Sequence, residues 1–346
     1  MAILKMFSFD NSSNAADLGL VSVGAVPSTT KKRTGPQSIK LPDQWFGSSL
    51  QAPLTTSSTR WVQFALLHDK VGIQKSWVRF GSSICVGQRP DNSLGLWLGD
   101  QTSDPLIAYT SGGLAVANSW AFLEIDCYHH SLSGTVKIKW NGVTVIDYVG
   151  NTGASSGPIT ITSDGGGDSY FDDMIIGDGN GGVNTTTLGD ARVEYIPPNA
   201  AGASSQFTPT SGANYTTVSE TGTSNDATYN SSMSVGAMDL FGMQDLGGSG
   251  IVHAVQTVIR SRKDDAGTRT IRPVIRKDLD ADGDTPRLYA GPTSPVTDSS
   301  TNTTHLMPLS PFTGTAWSLD EVNEAQFGYM IGGSEIFTVS AEIAAF

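Results

Sequence analysis

The stretch Gly134–Gly150, GTVKIKWNGVTVIDYVG, decides the fold class. Val136, Ile138 and Trp140 fall on one face of an extended strand, with Lys137 and Lys139 on the other. That two-residue period marks a strand with one buried side. Asn141-Gly142 supplies the two left-handed positions of a type I′ turn, so the segment predicts a β-hairpin with its tryptophan in a core.

The same signal spreads outward in both directions. RWVQFALL (60–67), SWVRFGSSICVG (76–87) and LGLWLGD (94–100) are apolar and aromatic, and the last sets Leu94, Leu96 and Leu98 against Gly95 and Trp97. Further on, IVHAVQTVIRSRK (251–263) and TRTIRPVIRK (268–277) predict two strands around a DDAG turn. FGYMI (327–331) and EIFTVSAEIAAF (335–346) read as closing strands. One helix start stands out in WSLDEVNEAQ: Ser318 and Glu321 have capping-box spacing, and Trp317 can staple onto Val322. The expected fold is all-β.

Bulk numbers agree. With 346 residues, two domains are expected, and 39 glycines suit many turns between short strands. The segment VEYIPPNAAGASSQFTPTSGANY (193–215) offers the boundary: Pro197-Pro198 ends a strand pattern and the small polar residues after it read as a linker. The domains are therefore set at 1–198 and 199–346. A net charge of -12 disfavours nucleic acid and anionic membranes as partners. The basic run RSRKDDAGTRTIRPVIRK (260–277) lacks aromatics for stacking on bases and reads as a solvated hairpin face. Cys85 and Cys127 sit in apolar runs and are expected as buried free thiols. The first residues lack the apolar stretch of a signal peptide, so a soluble, cytoplasmically made protein is expected.

Three acidic motifs invite chemistry. In YFDDMII (170–176), adjacent Asp172 and Asp173 should point to opposite faces of a strand, one to solvent and one to a loop. Such a pair cannot share one metal or flank one glycosidic bond, so structural pinning is expected. In LEIDCYHH (123–130), Glu124 and Asp126 share a strand face, which the bland reading turns to water. That segment resembles the E-x-D-x-x-E strand of β-sandwich glucanases, but His129 stands where the second essential glutamate belongs. DLDADGDTP has Asp278, Asp280 and Asp282 at calcium-loop spacing, but Tyr289 replaces the closing glutamate, and a solvated loop is expected. GASSG (153–157) matches a nucleophile elbow in letters only, since Pro158 and strand residues follow. GDGNGG (177–182) precedes no helix to hold phosphate, and His129 and His130 should diverge. No catalytic residue, cofactor or metal ligand is expected.

A resemblance adds to this reading. WAFLEIDCYHHSLSGTVKIKWNGVTVIDYVG (120–150) and SYFDDMIIGDG (169–179) resemble the latter half of concanavalin A-like (LamG-like) β-sandwich domains. Joined to LGDARVEYIPPNAAGASSQFTPTSGANYTTVSE (188–220), AVQTVIRSRKDDAGTRTIRPVIR (254–276) and WSLDEVNEAQFGYMI (317–331), they are similar to two-domain virion proteins of tailed bacteriophages. The resemblance implies a concanavalin A-like jelly-roll sandwich followed by a second β-sandwich with one short helix. It also implies a non-enzymatic structural protein of the virion exterior: a fibre, collar, capsid-decoration or tail component assembled in the host cytoplasm. Its partners would be other virion proteins and copies of itself, a trimer being favoured. The alternative is a carbohydrate-binding host-recognition adhesin, with Trp45, Trp97 and Trp120 as candidate platforms for host glycans and core burial expected for Trp120 and Trp140. A glycan hydrolase built on Glu124 ranks third.

Overall fold

A computed structural model describes residues 3–10, 20–43, 48–52, 57–154, 157–163, 166–220, 226–264, 266–277, 286–332, 337–339 and 342–343. The chain forms two compact units, Met1–Val193 and Glu194–Phe346. Among the described residues, almost all regular structure is β-strand.

The first unit opens with β1 (Ile3–Phe7), β2 (Val21–Val23), β3 (Val26–Ser28), β4 (Ser38–Leu41) and β5 (Ser48–Gln51). The long β6 (Thr59–His68) follows, then β7 (Lys75–Phe80), β8 (Ile84–Gln88), β9 (Leu94–Leu98) and β10 (Leu106–Tyr109). It closes with β11 (Ala121–Tyr128), β12 (Gly134–Trp140), β13 (Val143–Gly150), β14 (Ile159–Ser163) and β15 (Ser169–Asp178). Sheet I has the order β13-β12-β11-β6-β15-β4-β3, with β1 also on β15, and sheet II the order β10-β9-β8-β7-β14-β5-β2. All pairs are antiparallel. Val62, Phe64, Leu66, Ile125, Val136, Ile138 and Phe171 of sheet I pack with Val78, Phe80, Val86, Leu96 and Ile161 of sheet II in one core. This is a two-layer antiparallel β-sandwich, the all-β architecture expected of the first domain.

The hairpin forms as read: β12 pairs with β13, and Asn141 and Gly142 take φ 50° and 79°. Val136, Ile138 and Trp140 are buried, while Lys137 is exposed. Both cysteines are buried and free. Burial pushes the Cys127 thiol up to about 12.

The second unit contains β16 (Pro198–Ser205), β17 (Thr208–Pro209), β18 (Asn230–Ser232), β19 (Met238–Met243), β20 (Val255–Arg262) and β21 (Thr270–Lys277). Then come β22 (Arg287–Ala290), β23 (Ser294–Pro295), β24 (Thr301–Met307), α1 (Leu319–Glu324), β25 (Gln326–Gly332), β26 (Phe337–Val339) and β27 (Glu342–Ile343). Sheet III runs β16-β19-β25-β21-β22 with β23 on β21; sheet IV runs β17-β18-β26-β20-β24 with β27 on β20. Phe241, Ile271, Ile275, Phe327 and Tyr329 of sheet III meet Val255, Ile259 and Met307 of sheet IV in a second core.

Three expectations change here. The segment after Pro197-Pro198 is no linker: Pro198 begins β16, the edge strand of sheet III, where a proline lacking its N–H costs no ladder bond. Next, β20 and β21 lie in different sheets, so the basic run crosses between the layers and is not a hairpin face; Arg269 within it is buried. Lastly, Ser318 caps α1 by accepting from the Glu321 amide at 3.0 Å, but the Glu321 carboxylate accepts from Ser310 instead of completing the capping box. Trp317 and Val322 are both buried in the second core, as the staple requires.

Candidate functional site

Sheet I has one side on the core and one side away from it, and the second is where the acids gather. Trp61, Gln63 and Ala65 of β6 alternate with the core residues Val62, Phe64 and Leu66, yet all three have zero exposure. Two loops cover them. In the first, Leu188 N–H donates to Gln63 Oε1 at 2.6 Å, and Gln63 Nε2 donates to the Gly189 carbonyl at 3.2 Å. Thr187 donates to Asp126 through its amide (3.2 Å) and its hydroxyl (3.1 Å). Gly189 N–H and Lys139 Nζ both donate to Glu124 Oε1, at 3.1 and 3.2 Å. So Glu124, 1% exposed, does not face water as the simplest alternation predicts. It and Asp126 hold a lid.

The second loop is held by Asp172 and Asp173. Asp172 accepts from the amides of Arg33 (2.8 Å) and Thr34 (3.1 Å). Asp173 accepts from the Arg33 guanidinium (3.1 Å), the Thr34 hydroxyl (2.9 Å) and the Val193 amide (2.9 Å). Both carboxylates are fully buried, so neither is the solvent-facing partner that strict alternation predicts. The reason is local: the pairing of β15 with β6 slips between Asp172 and Ile175, and Asp173 sits at φ 51°. A bulge re-aims a side chain in this way. The structural role expected for the pair stands; its divergence does not.

Burial, reinforced by the neighbouring Asp173, raises Asp172 to about 7. Asp10 is raised to about 8, chiefly by burial. Its carboxylate lies against Gly35, where a Cβ would clash, and its Oδ2 has no hydrogen-bond partner. No group of three or more His, Cys, Asp or Glu among the described residues has metal-binding geometry.

A small cavity of about 80 Å³ opens between the end of β6, residues 114–121 and the hairpin turn after β12. Leu66, Leu114, Ala115, Val116, Ala121 and Trp140 give it apolar walls, and His68, Ser119, Trp120 and Asn141 complete it. His68, Trp77 and Trp140 form a stack, with ring centroids 4.8 and 5.7 Å apart. The His68 Nδ1 contacts Ser169 Oγ at 3.0 Å, while its Nε2 is buried without a partner. Burial, then the nearby Lys75 charge, holds this imidazole well below the ordinary histidine range, so it is neutral. Trp140 is in the core as expected; Trp120 is only half-buried.

The other tryptophans differ. Trp97 is 5% exposed, with its ring laid against Gly95, so it offers no platform. Trp45 and the Asp278/Asp280/Asp282 loop lie outside the described residues. Tyr109, on the edge strand β10, is 63% exposed with the Arg89 guanidinium 4.5 Å above its ring. Nothing in the sequence singles it out, because an aromatic at an edge strand looks the same there as one in a core. His129 and His130 diverge: His129 turns to Cys127 and Thr152, while His130 Nδ1 accepts from the Leu132 and Ser133 amides.

In the second unit, Asp239 is buried and accepts from the Gln206 (2.6 Å) and Phe207 (3.0 Å) amides and from Asn214 Nδ2 (2.6 Å). This network joins strands and a 3-10 turn through one buried carboxylate. An open cleft of about 510 Å³ lies beside Arg262, Lys263, Asp264, Ala266 and Asp298.

No family model matches the chain, and no curated protein matches it. Among solved structures, it is similar to domain 4 of AbnA, an extracellular arabinanase from Geobacillus stearothermophilus in complex with arabinotriose. That match has 14% identity, covers 51% of this chain and 94% of the other, and has a TM-score of 0.35. The VIP36 exoplasmic/lumenal domain, Ca2+/Man3GlcNAc-bound, matches at 12% identity over 48% of this chain and 89% of its own, with TM-score 0.32. The alginate lyase Aly36B matches at 10% identity over 50% and 95%, with TM-score 0.34. At these identities and TM-scores the likeness carries nothing about the chemistry of this chain.

Proposed function

We propose that this chain is a non-catalytic carbohydrate-recognition protein, with the Trp120 cavity of the first unit as its binding point. The observation that supports it is the partly exposed Trp120 ring beside a small, mainly apolar cavity with Ser119 and Asn141 among its lining residues. An indole face packs on sugar C–H groups, and a few polar atoms in an apolar cavity fix orientation. Glu124, Asp126, Asp172 and Asp173, the acids that hydrolysis would need, are instead tied to backbone amides of the two covering loops. A glycan array probed with the full chain and with Trp120→Ala tests the reading: binding that the substitution abolishes supports it, and a blank array for the native chain overturns it.

The resemblance to tailed-phage proteins supports a second reading, an exterior virion component working in oligomeric copies beside other virion proteins. An adhesin of that kind unites the two. Gold-labelled antibody on purified particles tests the location: label at one fixed place on each particle is expected, and protein found only in the lysate overturns it.

A further inference from the structure

We propose that the Trp120 site selects an anionic sugar, a uronate, whose carboxylate is received by the Lys31 ammonium. This rests on the carbohydrate-recognition reading and names the class of ligand.

The chain carries 33 acidic against 21 basic side chains, a net charge of -12 that repels anions as a whole. Lys31-Lys32-Arg33 is a local exception. The three differ in what they hold. Arg33 is neutralised by Asp173 and Asp190. Among the described residues neither Lys31 nor Lys32 forms an ion pair: Lys32 is exposed, and Lys31 donates to a neutral acceptor, Asn118 Oδ1, at 3.1 Å.

That bond sets the Lys31 ammonium beside the site. Asn118 precedes Ser119 and Trp120, which line the cavity. Two residues of extended chain span about 7 Å at most, the scale of a single sugar ring. Asn118 is itself fixed, since its N–H donates to the His68 carbonyl at 2.6 Å and its backbone is left-handed at φ 57°. Asn141, another lining residue, accepts from the Phe122 amide through Oδ1 at 2.7 Å, which commits its oxygen and leaves Nδ2 as a donor. None of the lining residues is an aspartate or glutamate. The polar groups around Trp120 therefore offer protons and one positive charge, and a carboxylate supplies the acceptor oxygens and the negative charge that match them. Size keeps this pair wet. A cavity of about 80 Å³ is too small for a sugar ring, so the ring lies on Trp120 and its carboxylate meets Lys31 at the surface, with no burial of charge to offset.

NMR titration of the full chain tests this with the methyl glycosides of glucuronic, galacturonic and mannuronic acids and of the three matching neutral hexoses. In low salt at least one uronate should bind about two- to five-fold tighter than its neutral match, the range of an exposed ion pair. The preference should shrink in ~0.5 M salt, where such a pair is screened. Lys31→Gln should erase it while leaving neutral-sugar binding and the melting temperature in place, and Lys31→Arg should keep it. Trp120→Ala should abolish binding of both kinds. Uronates that bind no tighter than their neutral matches, a preference that survives Lys31→Gln, or uronate binding that strengthens with salt overturns the assignment to Lys31 and leaves sugar recognition standing. No binding of any of these sugars, together with a blank glycan array, overturns both.

Discussion

Asp172 and Asp173 both bind Thr34: Asp172 takes its amide at 3.1 Å and Asp173 its hydroxyl at 2.9 Å. Neighbours on a regular strand cannot converge on one residue, since their side chains leave opposite faces. Here the bulge in β15 and the left-handed Asp173 turn the two carboxylates onto one loop. The cost of that backbone, on the order of 1–3 kcal/mol, is offset by the amides and the guanidinium that the pair satisfies.

Removing the Asp173 side chain should therefore be expensive. Asp173→Ala leaves the buried Val193 amide without its acceptor and takes one of two carboxylate partners from the Arg33 guanidinium, and should cost about 3 kcal/mol in urea unfolding. Asp173→Asn should cost less, because asparagine tolerates φ 51° and can still accept from Val193. Equal losses for the two would show that the charge alone matters.

The buried acids also set a pH dependence. Asp10 at about 8 and Asp172 at about 7 bind protons more tightly folded than unfolded, where carboxyls titrate near 3.8. Stability from such groups is full below the unfolded value and is lost as pH rises through the folded values. His68 and His129, both lowered, act in the opposite sense below their ordinary 6.5. Between the ordinary histidine value of 6.5 and about 8 the two acids still titrate, so the melting temperature of the first unit should fall across that window. Asp10→Asn should make the fall shallower; an unchanged slope would refute the assignment to Asp10.

Glu124 should behave as a clasp. Glu124→Gln weakens its bonds with Lys139 and the Gly189 amide, a loss of about 1–2 kcal/mol. Hydrogen exchange should speed at Leu188 and Gly189 while the β12–β13 amides keep their protection. Unchanged exchange at Gly189 would mean that Gln63 alone holds the lid.

In the second unit, Gly328 sits in β25 between β19 and β21, and a Cβ there would collide with the Asp239 carbonyl. Gly328→Ala should cost about 3 kcal/mol by overpacking, and it should lower exchange protection in β19, β21 and β25. Protection equal to the native chain would contradict the tight packing of sheet III.

The sequence by itself determined the elements whose causes are local. Asn141-Gly142 fixes its hairpin because only left-handed backbone closes that turn, and Ser318 starts α1 because its hydroxyl meets an otherwise unpaired amide. Alternation in β12, and the apolar settings of Cys85 and Cys127, gave core positions correctly. Tertiary structure decided what alternation cannot encode. A strand's second face looks solvent-bound in sequence, yet Glu124 and Gln63 are buried because residues 187–189, far along the chain, lie across them. The register slip that unites Asp172 and Asp173 depends on the partner strand β6, and Pro198 is a strand residue only because an edge position was free for it. Periodicity reports which residues share a face; which faces are covered is settled by contacts between residues distant in sequence.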